Sequence, residues 1–280
     1  MEKYNSIARE IRKNCFLAAL MADSAHLASS FSIVEILVAL YFGDVLNIDE
    51  KSPNDKTRDY FYLSKGHGAL SLYSTLCLRG FFTKDVLCSF STKNSILGGE
   101  PDVNLVPGVE ATTGSLGQGL SLACGAAFAS KLDNKKNKFF CLVGDGECQE
   151  GAIWEAILFA KAQNLNNLTL IVDCNSLQKM NKVEKVIGFE NWKQKFNAFG
   201  FETFEVDGHD VTQLINVFNL QNNSGKPRVV IAKTIKGKGV STMENSVVWH
   251  YKMPGAKTIS VFLNELGISQ KEYYECKKHI

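Results

Sequence analysis

Phe139-Phe140-Cys141-Leu142-Val143-Gly144-Asp145-Gly146-Glu147 and, one βαβ length further on, Leu168-Thr169-Leu170-Ile171-Val172-Asp173-Cys174-Asn175 decide how this chain folds. Each is an apolar run ending in polar, turn-prone residues, the pattern of a strand buried on both faces of a parallel sheet. Gly151 to Asn164 between them reads as the crossover helix, with Ile153, Trp154, Ile157 and Leu158 as its apolar side. A right-handed crossover sets two such strands side by side or nearly so, with both carboxyl ends on one edge. Asp145 and Asn175 then converge as two hard oxygen ligands, one anionic and one neutral. Magnesium prefers such ligands when phosphate oxygens and water complete its octahedron. The pair predicts a metal-held diphosphate.

Outward from these strands, helices and strands keep alternating. A helix over about 4–21 is followed by a small, polar stretch, Ser24 to Ser32, that contains His26. A second helix is expected from Ser32 to Phe42, with Ser32 as its cap and Glu35 three residues on. Tyr60 to Ser64 reads as a strand, and Lys65-Gly66-His67-Gly68 turns it into a helix from Ala69 to Gly80. Ser89 to Ala111 is a long loop marked by Gly98-Gly99 and Pro107-Gly108. Thr112 to Gly119 opens a small-residue helix to Lys131. Beyond the central strands come a loop (176–190), a helix near 191–199, a strand Phe201 to Val206, a helix Thr212 to Leu220 and a strand Arg228 to Thr234. An irregular loop, Ile235 to Gly255, and two short helices finish the chain. This order predicts one domain over 1–280, with a helical tail from about 256 to 280. The fold class is α/β: a doubly wound, mostly parallel sheet with helices on both faces.

The 280 residues are 45% hydrophobic and 21% charged with a net charge of +2, ordinary globular material. No basic run points to nucleic acid. Phe31 to Phe42 is too short and too polar to span a bilayer, and the charged opening Met1 to Arg12 is no signal peptide, so no membrane role is expected. The eight cysteines form no C-x-x-C pair, which fits reduced thiols in a cytoplasmic protein.

Gly144-Asp145-Gly146 alone ends many strands as a tight turn, with Asp145 capping the next helix. Its coupling to Asp173-Cys174-Asn175 favours the ligand reading. Gly146 lets backbone approach a phosphate, and the following helix N-terminus offers free N–H groups. These blocks together resemble the thiamine-diphosphate motif, and Gly144-Asp145-Gly146-Glu147-Cys148-Gln149-Glu150-Gly151 resembles transketolase in particular. Leu63-Ser64-Lys65-Gly66-His67-Gly68, Thr112 to Gly119 and Lys233-Thr234-Ile235-Lys236-Gly237-Lys238-Gly239 match further transketolase blocks in order. The resemblance spans nearly the whole chain but only the first half of a full transketolase, as in the diphosphate-binding subunit of a split enzyme.

The resemblance implies a thiamine-diphosphate-binding fold in which Asp145, Asn175 and the Leu177 carbonyl ligate Mg2+. Gly144, Gly146 and His67 would lie at the diphosphate, with Gly114 and Leu116 along the aminopyrimidine. Glu150 and Glu155 match glutamates of an interface network that links paired cofactor sites, and Glu150 joins the catalytic set with His26 and His250, which face the sugar. Each reading has a plainer rival. The glutamates also suit ordinary helix-start and surface charge, and an isolated histidine is usually structural. His209, in Asp207-Gly208-His209-Asp210, reads as a structural turn residue. Lys233, Lys236 and Lys238 either hold a loop near the cofactor or form a solvated basic loop.

Three departures fall on segments that would face the substrate. Ser24-Ala25-His26-Leu27-Ala28-Ser29 lacks the family's small glycines, Gly99-Glu100-Pro101-Asp102 puts a carboxylate where a histidine is usual, and Tyr251 follows His250 where glycine is expected. An anion at Glu100 changes the hydrogen-bonding repertoire and repels anionic groups. A non-standard sugar or ketol substrate is therefore expected. The carboxylate that the cofactor's aminopyrimidine needs lies on the family's pyrimidine-binding domain. A partner subunit carrying that domain is thus implied, two of each forming a heterotetramer that moves a two-carbon ketol unit from a ketose to an aldose. The alternatives are a 2-oxo-acid decarboxylase or acyloin-ligase subunit, and a non-catalytic cofactor-binding subunit.

Overall fold

The computed structural model describes residues 2–23, 25–188 and 191–277. Ser24, the end of the 176–190 loop and the last three residues of the expected tail lie outside the described residues. Five strands form one sheet: β1 (Tyr60–Leu63), β2 (Phe139–Gly144), β3 (Leu168–Cys174), β4 (Glu202–Asp207) and β5 (Arg228–Lys233). Their order is β1-β2-β3-β5-β4 and every neighbouring pair is parallel. The sheet is wholly parallel, and β2 and β3 are direct neighbours, with Gly144 opposite Asp173.

Side-chain alternation explains why both runs are apolar throughout. Phe140 and Leu142 of β2 face a core built with helices Glu2–Ala22, Val34–Phe42, Ala69–Arg79 and Val211–Asn219. Phe139, Cys141 and Val143 face a second core with Gln118–Leu132, Gly151–Ala162 and Trp192–Ala198. All six β2 residues are buried. Each large apolar side chain so buried contributes about 1.5–3 kcal/mol, which fixes the strand ends firmly. The helix after Lys65-Gly66-His67-Gly68 stops at Arg79 because Gly80 takes φ 95°, a left-handed cap conformation that favours glycine.

Local expectations failed in three places. Ser32 caps nothing: the segment splits into helices Leu27–Phe31 and Val34–Phe42, and Ile33 occupies the second N-cap. The Ser32 hydroxyl instead donates to Asp173 Oδ2 at 2.7 Å, and Glu35 turns to Arg12. Leu158 does not belong to the buried side of its helix; it is 58% exposed, and Ala156 and Ala160 complete the inner face. The 176–190 loop contains a short helix, Val183–Ile187. Among the described residues no helix is long and apolar enough to cross a membrane.

Candidate functional site

The parallel sheet delivers the ends of β2 and β3 to one edge, and Asp145 N–H donates to Asp173 O at 3.2 Å. Asp145 is 2% exposed; its Oδ1 accepts from Gly146 N–H at 2.8 Å and its Oδ2 from Ser176 N–H at 2.5 Å. Among the described residues it forms no ion pair. Burial, reinforced by the Asp173 carboxylate, pushes its carboxyl up to about 7 against the pull of those N–H groups and Lys65. A buried carboxylate raised in this way is an acceptor for an external cation. Asn175 Oδ1 accepts from Leu177 N–H at 3.1 Å, and its Nδ2 donates to Asp173 Oδ2 at 2.9 Å. Among the described residues no group of three or more His, Cys, Asp and Glu assembles a metal site. A metal here would rest on one carboxylate and neutral oxygens, a donor set that fits a hard dication whose remaining positions are filled by phosphate and water.

Two carboxylates that sequence reading passed over brace this edge. Asp173 is fully buried; its Oδ2 accepts from Lys65 Nζ at 2.6 Å, while Thr234 Oγ1 donates to Oδ1. Burial opposes its charge, but the Lys65 ammonium and the hydroxyls hold its carboxyl below the usual carboxylate range. Glu147 accepts from Ser64 Oγ at 2.5 Å, Gly117 N–H at 2.9 Å and Gly144 N–H at 3.0 Å. Three separate sequence blocks thus meet on one side chain. Burial nevertheless raises the Glu147 carboxyl, the hydrogen bonds opposing it. The only sequence signal was for Asp173, an acid directly abutting the apolar run Leu170 to Val172.

A cavity of about 360 Å³ opens at this edge, lined by His26, Lys65, His67, Glu100, Gly114, Leu116, Gly144, Asp145, Gly146, Glu150, Asn175, Leu177, Lys179, Lys236 and His250, among others. Every residue singled out for the catalytic, cofactor or metal roles lines it. Glu155, the second interface candidate, does not; it is exposed one turn along the helix that Glu150 begins. The rings of His26, His67 and His250 form a triangle with centroids 5.3–5.8 Å apart, and the Tyr251 ring lies 4.5 Å from His26. Burial, then the surrounding ammonium groups, depress these imidazoles: His26 to about 4, His250 to about 3 and His67 well below its ordinary value. All three are neutral near pH 7. Burial alone disfavours any charge here, but the contribution of Lys236 and Lys65 to these shifts is one that attracts an anion.

The loop lysines divide. Lys236 is 2% exposed, donates to the Leu177 carbonyl at 3.3 Å and lies 3.0 Å from His250 Nδ1. Burial and Lys65 lower it to about 8. Lys233 and Lys238 are solvated partners of Glu205 and Glu244. His209 is a turn residue with further contacts: its Nδ1 lies 2.8 Å from Glu35 Oε2, and its Nε2 accepts from Ile235 N–H at 2.8 Å.

Glu100 stands at the rim. Tyr73 Oη donates to its backbone carbonyl at 2.8 Å, and Thr113 N–H bonds to Pro101 O. Its carboxylate rests on Gly114, where an added Cβ would lie 1.8 Å from Glu100 Oε2. Outside it a second hollow of about 350 Å³ is lined by Ala25, His26, Phe90, Ser91, Gly99, Glu100 and Tyr251, with no lysine or arginine. A larger hollow of about 800 Å³ lies between the N- and C-terminal helices, apart from the strand ends and from all these groups.

The family described as "Transketolase, thiamine diphosphate binding domain" matches residues 4–280. The chain belongs to this family. Among its relatives is a subunit of the apulose-4-phosphate transketolase of Actinobacillus succinogenes, 39% identical over 91% of this chain and 92% of that one. A 6-deoxy-6-sulfo-D-fructose transketolase subunit of a Clostridium species is 37% identical over 80% of this chain and 82% of that one. Transketolase of Campylobacter jejuni superposes with a TM-score of 0.84 at 31% identity, covering 98% of this chain and 46% of that chain. The transketolase blocks read from the sequence are therefore those of a thiamine-diphosphate-binding domain, and the α/β sheet is the family's fold.

Proposed function

We propose that this chain is the diphosphate-binding subunit of a two-subunit transketolase that moves a two-carbon ketol unit from a ketose to an aldose, on a sugar outside the usual pentose phosphates. The observation that carries this reading is the cavity at the ends of β2 and β3, which joins a buried carboxylate, raised to about 7, to three neutral imidazoles and the buried Lys236. Support for a two-subunit assembly comes from the relatives called subunits, which match over most of their own length.

Bound thiamine diphosphate supplies a nucleophilic thiazolium carbon and an electron sink. This chain's residues do the holding and the proton handling. Asp145, Asn175 and the Leu177 carbonyl, which also accepts from Lys236, would hold Mg2+. Gly146 and His67 would face the diphosphate, with Gly144 beneath it and Gly114 and Leu116 beside the aminopyrimidine. Glu150 and Glu155 would meet the partner. His26 and His250, neutral near pH 7, can each accept or donate a proton at a substrate hydroxyl. The partner would carry the pyrimidine-binding domain, two of each forming the assembly. The whole chain would act as one binding domain, and its free cysteines suit the cytoplasm.

The test is calorimetry of the full chain with Mg2+ and thiamine diphosphate, then assay after reconstitution with a pyrimidine-domain subunit. Ketol transfer by the pair and none by this chain alone is expected. Efficient use of xylulose 5-phosphate with ribose 5-phosphate would sink the unusual-sugar reading; carbon dioxide released from pyruvate would move the protein to the 2-oxo-acid enzymes.

A further inference from the structure

We propose that His209 is a positioning residue for the cavity: its bare Nε2 captures the Ile235 N–H and thereby sets the loop that carries Lys236 and His250. β5 ends at Lys233, and Thr234 N–H still bonds across the sheet to Cys174 O at 3.1 Å. Ile235 is the next residue, and its N–H turns instead to His209 Nε2 at 2.8 Å. The following side chain is Lys236, already inside the cavity. Three further contacts depend on that placement: Gly237 N–H to Ala28 O at 2.9 Å, Asn245 N–H to Lys236 O at 2.9 Å and Lys236 Nζ beside His250.

The ring's tautomer is imposed from behind. Arg12 grips Glu35 with both terminal nitrogens, at 2.6 and 2.8 Å, and donates to Phe31 O at 3.0 Å. Arg12 and His209 hold Glu35 ionised against its burial, near a value of 2. An ionised carboxylate only accepts, so the Nδ1 that faces Glu35 Oε2 at 2.8 Å carries the proton. Nε2 is then the acceptor that Ile235 N–H requires. Arg12 touches the far end of the same loop, since a Cβ on Gly239, at φ 98°, would lie 2.9 Å from Arg12 Cδ. Helices Glu2–Ala22 and Val34–Phe42, remote in sequence, therefore fix the approach of Lys236 through one imidazole.

Two substitutions separate the links. His209→Asn places an amide near the Nδ1 position and keeps a donor for Glu35, but leaves Ile235 N–H without an acceptor. His209→Gln reaches the Nε2 position and keeps the acceptor, but drops the bond to Glu35. Hydrogen exchange of the full chain is read at the amides of Gly237 and Asn245, with thermal unfolding as the control and nitrogen-15 NMR of His209 for the tautomer. The Asn variant is expected to exchange there about tenfold faster, and to bind Mg2+–thiamine diphosphate about tenfold more weakly, while Gln stays within about twofold of wild type. Wild-type His209 should show the Nδ1–H form. Equal loosening by both variants, exchange that rises evenly across the sheet, or the Nε2–H tautomer would overturn the assignment. The ligand arm rests on the thiamine-diphosphate reading and the exchange arm does not, so wild-type protein that fails to bind the cofactor sinks that reading while exchange still decides the role of His209.

Discussion

Replacing Asp145 by asparagine should make the ligand-free chain more stable at pH 8 while abolishing its response to cofactor. The folded carboxyl is raised from 3.8 to about 7. The unfolded chain therefore gives up this proton near pH 4 and the folded chain only near pH 7. Between those limits the folded state binds more protons, so each pH unit upward removes about 1.4 kcal/mol of stability. The full cost, above pH 7, is about 4 kcal/mol. Asparagine removes the charge but keeps only one acceptor, leaving either Gly146 N–H or Ser176 N–H unpaired at a cost of about 1–3 kcal/mol. The net gain at pH 8 is about 1–3 kcal/mol, roughly 2–6 °C in unfolding temperature. At pH 5 the wild-type cost has shrunk to about 1.5 kcal/mol, so the advantage should vanish or reverse. Mg2+ with thiamine diphosphate at a hundred times its Kd should stabilise wild type by about 2.7 kcal/mol and D145N hardly at all. Scanning fluorimetry across pH, with and without the ligands, reads all of this. A D145N protein no more stable than wild type at pH 8, or a difference that does not close by pH 5, would refute the reasoning.

Lys65→Met strands the buried Asp173 carboxylate and should destabilise the fold by about 3–5 kcal/mol in urea titration; adding Asp173→Asn should recover part of that, and simple additivity of the two would count against the pair. NMR titration should find His26 and His250 neutral down to pH 5, with inorganic diphosphate raising both by about one unit; an unchanged or lowered value would contradict the anion site. In the reconstituted enzyme Glu100→His should raise kcat/KM for xylulose 5-phosphate by about tenfold with unfolding shifted by less than about 0.5 kcal/mol, and no gain would clear Glu100 of a role in selection.

The sheet was legible because a strand buried on both faces must be largely apolar, as Phe139 to Val143 of β2 and Leu170 to Val172 of β3 are. Glycines and turn residues then marked where the chain reverses. What stayed hidden were pairings between distant segments. Ser32 has the local chemistry of a cap, yet the cost of leaving a buried Asp173 short of donors outweighs that local preference. Lys236 sits among basic residues that read equally as a loop near the cofactor or as solvated, because nothing nearby in sequence states that Leu177 and His250 wait for it. Glu147 and Lys65 were quoted only as letters of blocks; their partners lie on other strands and loops. Leu158 failed for the opposite reason, since a helix with an all-round apolar composition does not reveal which large residue faces outward.

The way Glu100 is held has a consequence for what its replacement would change. Tyr73 grips the backbone carbonyl of that residue, and Thr113 the carbonyl of the next, so the anchorage ignores which side chain stands there. Behind it, the Glu147 and Asp173 junctions brace the ends of β2 and β3. Rim and cavity floor meet at Gly114, on which the Glu100 carboxylate rests. Exchanging the residue at position 100 thus keeps the backbone anchorage of the loop and changes only what presses on Gly114.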